Sequence, residues 1–385
     1  MIKLFKNFVV AIFIVLSIIF MIIETENVIN SVKNAIMLWS TKVFPVLFPF
    51  YIFSTLAIKN GIAHFIGDLV HPITKRLFKT SSISGFVFIM SLLSGNPSSA
   101  IIISHLYEEG ALSQREAQHL LAFCVFSNPL FCIGTIGITY FHNVTIGYIV
   151  FISHVLGNVI IGILMRGNIK GQEEHHFSIK RAYEKMLKQK QQNKTKFSDS
   201  LTHILQNGIN TMFLIAGFMI FYNLIIVMIS FSHIIPLSYY FLQFILNKFN
   251  ISLPIYQAFS IGLFEMVLGI DNTVNSNIPL RAMVTIITML ISFGGLSIHS
   301  QIQSILMKVK LRYLPFFISR LAQVVFSGII AYLTFPLIYK ERATPTGKIA
   351  FISIKERNFI LIAIIILIIT LLFYLFKNKK VAVKH

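Results

Sequence analysis

Residues Ser82 to Tyr107 read SISGFVFIMSLLSGNPSSAIIISHLY, two apolar arms on either side of Ser94-Gly95-Asn96-Pro97. A helix needs about 20 apolar residues to cross the hydrocarbon core of a bilayer, and each arm is shorter than that. Unwound backbone at membrane depth is tolerated only where it lines a cavity or is buried in protein. The stretch therefore reads as a re-entrant hairpin of two half-helices. Working outward, Ile251 to Val274 is a second short-armed segment, expected to break around Gly269 to Asn272. Ser113 to Phe141 and Ile278 to Leu306 are long enough to cross but are interrupted, at Ser127-Asn128-Pro129 and at Gly294-Gly295.

The rest of the chain supports a membrane setting. Of 385 residues, 55% are hydrophobic and only 12% charged, with 37 Phe and a mean hydropathy of +0.76. A soluble fold carries roughly a quarter charged residues, so soluble classes are excluded. Further spans are expected at Phe8 to Ile23, Ala35 to Ile58 (which contains Pro45 and Pro49), Val144 to Met165, Leu201 to Ser230, Tyr313 to Tyr339 and Phe359 to Phe376. Gly61 to Lys79 mixes apolar and basic residues at helical spacing, as an interfacial helix does. The N-terminus lacks a small-x-small cleavage site before Glu24, so the first apolar run reads as an uncleaved helix.

The 33 Lys plus Arg against 14 Asp plus Glu give a formal charge of +19. In a membrane protein this excess belongs in cytoplasmic loops facing anionic lipid; the bilayer, not nucleic acid, is the expected partner. Placing both termini in the cytoplasm puts most of the basic residues inside, the exception being the basic stretch Lys340 to Arg357. The chain then divides into 1–34, a span and external loop; 35–166, a first repeat; 167–199, a basic cytoplasmic linker; 200–339, a second repeat; and 340–385, a loop, last span and basic tail. The expected fold is an all-α polytopic membrane protein of about eight spans, with inverted repeats, two re-entrant hairpins and two broken helices. Inverted repeats with discontinuous helices are a plan of secondary transporters. The sequence sets no oligomeric state.

Interruptions at mid-membrane are where chemistry is expected. A half-helix beginning after Pro97 would aim its N-terminus, with Ser98 and Ser99, into the break beside Ser94 and Asn96; such termini attract carboxylate and phosphate. Ser127 and Asn128 offer donors and acceptors at the next interruption. Glu265, surrounded by apolar residues in GLFEMVLG, is the most telling single residue, because an intramembrane carboxylate costs at least about 2.5 kcal/mol and is functional by default. It is the candidate coupling group, for H⁺ or Na⁺, with a structural hydrogen bond as the competing role. Ser297, His299 and Gln301 follow the Gly294-Gly295 break. His154 and Asn158, four apart on one helix, read as a helix bridge, and Arg320 as a side chain snorkelling to a membrane end or meeting a carboxylate substrate. Cys124 and Cys132 read as packing thiols. There is no P-loop, GxSxG elbow, HExxH or metal-spaced Cys/His set, so no enzyme activity, metal or cofactor is expected.

Four of these segments in order, SGNPSSA (Ser94 to Ala100), SNPLFCIG (Ser127 to Gly134), GLFEMVLG (Gly262 to Gly269) and GLSIHSQI (Gly295 to Ile302), together resemble the sporulation integral membrane protein family YlbJ, also called SpoVV. FPVLFPFYIFSTLA and FHNVTIGYIVFISHVLGN are similar to it as well. Asn96 and Ser99 stand where the first motif usually carries an aromatic residue and a glycine. The resemblance implies a fold related to the gate domain of concentrative nucleoside transporters. It also implies transport of dipicolinic acid, a small aromatic dicarboxylate, across the outer forespore membrane of a spore-forming bacterium. A nucleoside or nucleobase carrier, or a non-transporting membrane component of spore cortex assembly, are the alternatives.

Overall fold

A computed structural model describes residues 2–108, 110–166, 179–192, 197–248 and 251–339, and all their regular structure is helical. The N-terminal part comprises α1 (Ile2–Ile23), α2 (Thr25–Leu38), a π-helical segment (Trp39–Val43) and α3 (Phe44–Lys59). Next come α4 (Ile62–Phe78), α5 (Ser82–Ser94), α6 (Ser98–Glu108), α7 (Gln114–Phe123), a second π-helical segment (Leu130–Tyr140) and α8 (Val144–Leu164). After α9 (Ile179–Gln192) follow α10 (Phe197–Phe231), α11 (Ile234–Lys248), α12 (Leu253–Phe264) and α13 (Met266–Val274). The described chain closes with α14 (Leu280–Phe293), α15 (Gly295–Lys308) and α16 (Leu314–Ile338).

Four described helical stretches are long and apolar enough to cross a membrane: Val144–Leu164, Leu201–Phe231, Leu280–Lys308 and Leu314–Ile338. Two bent pairs, Val10–Ile23 with Thr25–Val43 (99°) and Phe65–Phe78 with Ser82–Ser94 (100°), bring the number to six if each pair is one span. This is an integral membrane protein with several apolar helices. The expected span Phe359 to Phe376, with all of 340–385 and much of the 167–199 linker, lies outside the described residues.

Local signals explain where helices start. Ser113 and Glu116 form the S-x-x-E pattern at the head of α7, and the Ser113 hydroxyl accepts the Glu116 N–H at 3.2 Å. Asn143 caps α8, its Oδ1 accepting from Thr145 at 2.9 Å. Two glycines let α4 and α5 pack backbone to backbone: a Cβ on Gly85 would come within 2.8 Å of the Gly67 carbonyl oxygen.

Residues 24–34 are largely helical: α2 starts at Thr25 and runs through the π-helical turn into α3. Two expectations are corrected. The second hairpin breaks at Glu265, not at Gly269 to Asn272, which stay helical within α13. Its turn is set by capping and by close packing: the Glu265 carboxylate takes the Leu268 N–H at 2.7 Å, and Gly262 and Gly269 on facing arms leave no room for a side chain between them. Arg320 does not snorkel. It lies in the second turn of α16, 2% exposed.

The core is two apolar clusters. One gathers Phe78, Phe86, Phe123, Phe126 and Phe316; the other gathers Phe131, Ile149, Met266, Ile287 and Phe335. Phe126 and Phe131 belong to different clusters, so Ser127 and Asn128 sit where the chain passes from one to the other.

Candidate functional site

Each of the four interruptions contributes to one pocket, which encloses about 560 Å³ of space, part of it open to the outside. Gly95, Asn96 and Pro97 come from the break between α5 and α6; Ser127, Asn128 and Phe131 from the break after α7. Glu265, Met266 and Val267 come from the tip between α12 and α13; Ser297, Ile298 and Gln301 from the start of α15. Apolar walls are added by Val43 and Leu47, and by Ile215 and Met219 of α10. Segments far apart in sequence are therefore assembled around one cavity, each contributing residues at or beside a helix break.

Glycine makes the breaks meet. At Gly95 (φ +73°) a Cβ would lie 3.2 Å from the Asn128 backbone nitrogen. At Gly295 (φ +70°) it would lie 2.9 Å from the Met266 nitrogen. Both glycines have left-handed backbone that side chains rarely adopt. In each half of the chain, then, a glycine at one break holds the neighbouring break at van der Waals distance.

The polar groups are sparse and mostly buried: Ser127 is 5% exposed, Asn128 2%, Glu265 3%, Ser297 2% and Gln301 4%. Asn128 divides its amide between two tasks. Its Oδ1 accepts the Phe131 N–H at 2.8 Å, capping the π-helical segment; its Nδ2 has no hydrogen-bond partner among the described residues. Asn96 Oδ1 and Gln301 Oε1 are likewise unpartnered. A buried polar group left unsatisfied costs roughly 1–3 kcal/mol, and three residues lining this one pocket each carry such an atom. No Lys, Arg or His is among the described residues lining it. Positive potential comes instead from helix N-termini: Met266 and Val267 open α13, Ser297 and Ile298 lie in the first turn of α15, and Pro97 immediately precedes α6.

Six of the ten residues singled out in the sequence line this pocket: Asn96, Ser127, Asn128, Glu265, Ser297 and Gln301. The other four do not. Ser94 and Ser99 turn their hydroxyls back to the carbonyls of Met90 (2.7 Å) and Gly95 (3.1 Å), and Ser98 is half-buried at the start of α6. His299 is held away in an aromatic cage, its Nδ1 2.6 Å from the Tyr313 hydroxyl and its Nε2 2.9 Å from the Phe293 carbonyl. The walls Val43, Leu47, Ile215 and Met219 carried no sequence signal, since apolar residues in apolar helices look alike.

Behind the second break lies a buried polar network. His154 Nε2 accepts the Ser127 N–H at 3.0 Å, and its Nδ1 faces Ser292 Oγ at 3.1 Å and Gln323 Nε2 at 3.2 Å. The helix-bridging role expected of His154 and Asn158 matches this geometry, for Asn158 Oδ1 accepts from Arg320 at 3.0 Å.

Comparison with known proteins agrees with the motif reading. Residues 40–147 match the Gate family model, described as "Nucleoside recognition". No solved structure matches. Over 315 residues, 80% of this chain and 77% of the relative, the sequence is 29% identical to the sporulation integral membrane protein YlbJ of Bacillus subtilis (strain 168). The resemblance carried by the four motifs thus holds over most of the chain, which is similar to YlbJ and contains a Gate region spanning its first two helix breaks.

Proposed function

We propose that this protein is a secondary transporter, not an enzyme, moving a small anion by alternating access between inverted repeats. The substrate we assign is dipicolinic acid, carried across the outer forespore membrane during sporulation with both termini in the cytoplasm. The observation that carries the reading is the convergence of four helix breaks on one largely apolar pocket that holds a few buried polar side chains. Half-helices meeting at a solute site are what alternating-access carriers use, and helix N-termini suit carboxylates without a basic side chain in the pocket. The similarity to a sporulation membrane protein supports the setting. Glu265 on the pocket wall is our coupling group, with H⁺ or Na⁺ as the ion.

The test is flux of labelled dipicolinate into proteoliposomes, with and without imposed H⁺ or Na⁺ gradients. Saturable uptake that uridine does not compete supports the assignment. The second reading, a nucleoside or nucleobase carrier, is favoured by the Gate match at residues 40–147 and by the unpartnered amides of Asn96, Asn128 and Gln301. It requires uridine to displace dipicolinate or to be carried alone. A non-transporting component of cortex assembly predicts no flux of either solute and normal dipicolinate in spores carrying Glu265→Gln.

A further inference from the structure

The position of Arg320 leads beyond the solute to what holds its site open. The guanidinium is buried within a membrane-crossing helix. Its Nη1 donates to the Val125 carbonyl at 3.0 Å, and its Nη2 to the Ala122 carbonyl and to Asn158 Oδ1. Ala122 lies in the last turn of α7 and Val125 in the unwound segment that follows. These acceptors are of one kind: carbonyl oxygens left over at a helix C-terminus, where partial negative charge accumulates, and a side-chain amide oxygen. In broken membrane helices such oxygens are the groups that coordinate a cation. Here the cation is part of the chain.

We propose that Arg320 is a resident, tethered cation of the second helix break, holding residues 122–127 in place so that this break requires no free Na⁺. From the other side His154 takes the Ser127 N–H, so the segment is fastened from α16 and α8 together. It ends at Asn128, which lines the pocket and whose Nδ2 is buried without a partner among the described residues. Arg320 is thus a positioning residue: it touches no solute and acts through the backbone that carries Ser127 and Asn128. The proposal assumes that the pocket is the solute site but not which solute enters it, nor that transport is coupled.

The protein supplies its own probe. Cys124 lies in the unwound segment, is buried and is a free thiol; the other cysteine of the chain, Cys132, is replaced by serine for the experiment. The full-length protein in lipid nanodiscs is alkylated with N-ethylmaleimide, and the rate at Cys124 is followed by mass. Wild-type Cys124 is expected to react slowly, at the same rate in NaCl and in choline chloride. Arg320→Met, which removes the charged donors, is expected to raise the rate at least about tenfold by local opening. Millimolar guanidinium ion, far below denaturing concentration, is expected to restore protection where choline does not. Slow alkylation in folded Arg320→Met would overturn the proposal, as would wild-type protection that is lost when Na⁺ is replaced by choline. Arg320→Lys keeps a cation at the site, and it carries the test if the Met variant does not accumulate: Cys124 should stay protected in choline, and exposure there that Na⁺ reverses would overturn the proposal. Alkylation is read without any transported solute, so its outcome is separate from that of the dipicolinate assay.

Discussion

Gly95 and Asn128 are in contact, backbone against side chain: a Cβ built on Gly95 would stand 3.2 Å from the Asn128 Cβ and 3.4 Å from its Nδ2. The first helix break is therefore seated on the second, at a pocket-lining residue whose Nδ2 is buried without a partner among the described residues.

A methyl group at Gly95 is expected to disturb both halves of that contact. The backbone there, φ 73° and ψ −170°, lies in a region essentially reserved for glycine, and strain of this kind costs on the order of 1–3 kcal/mol. Gly95→Ala should lower the unfolding midpoint in detergent and abolish solute binding. Gly110→Ala is the control, because Gly110 also has positive φ (+72°) but open space around it. Equal losses of binding in both variants would show that contact with Asn128 is not what matters.

Asn128 separates capping from recognition. In Asn128→Asp an oxygen remains to accept the Phe131 N–H, while the donor facing the pocket is replaced by an acceptor. The cap is kept, but a carboxylate buried at this depth should itself lower stability by at least about 2.5 kcal/mol, and affinity for an anionic solute should fall at least about tenfold through repulsion and the lost donor. Asn128→Ala should lose the cap as well as the solute. Calorimetric unfolding and equilibrium binding on the same preparations resolve the two effects; an Asp variant that binds normally would remove Asn128 from the site.

For Glu265 the same division runs between N-cap and coupling group. Glutamine keeps an oxygen for the Leu268 N–H and loses the exchangeable acid. Glu265→Gln should leave stability within about 1 kcal/mol of wild type and make solute flux insensitive to an imposed proton gradient. Glu265→Ala should lose the cap and unfold earlier. A Gln variant with the full wild-type rate and gradient dependence would leave Glu265 a purely structural cap of α13.

Much of the site was legible because broken helices announce themselves. Asn96 and Asn128 adjoin a proline, and Ser127, Ser297 and Gln301 follow or precede a Gly or Pro within six positions inside apolar runs; such interruptions can persist in a membrane only around a cavity or inside protein. Glu265 was legible as a buried acid but not as the hairpin tip. Gly269 and Asn272 look like breakers, yet Gly269 is needed as a gap for Gly262, a pairing across the hairpin that no local pattern encodes. The serines misled for a different reason: hydroxyls in helical turns bond readily to carbonyls four residues back, as Ser94 and Ser99 do. For Arg320, depth and partners are tertiary facts. Its acceptors on Ala122 and Val125 lie nearly 200 positions earlier in the chain, and nothing in the surrounding RLAQVVF distinguishes a snorkelling arginine from a buried one.

His299 gives the last prediction. Its Nε2 lies against a carbonyl, that of Phe293, and so must carry the proton; Nδ1 is then free to accept from the Tyr313 hydroxyl. The ring is packed against Phe293 at 4.5 Å and Phe316 at 5.2 Å between centroids. These contacts tie the first turn of α15 back across the Gly294 break to the end of α14, and forward to the head of α16. His299→Phe fills the cage but strands the Phe293 carbonyl, which should cost roughly 1–3 kcal/mol of stability. Tyr313→Phe removes one hydrogen bond and should cost about 0.5–1.5 kcal/mol. Both variants should lower the unfolding midpoint, with the histidine change the larger, and in the folded fraction both should bind solute within about twofold of wild type, a difference of less than half a kcal/mol. If folded His299→Phe loses binding while Tyr313→Phe keeps it, the imidazole reaches the solute in another conformation of the protein, and His299 returns to the site.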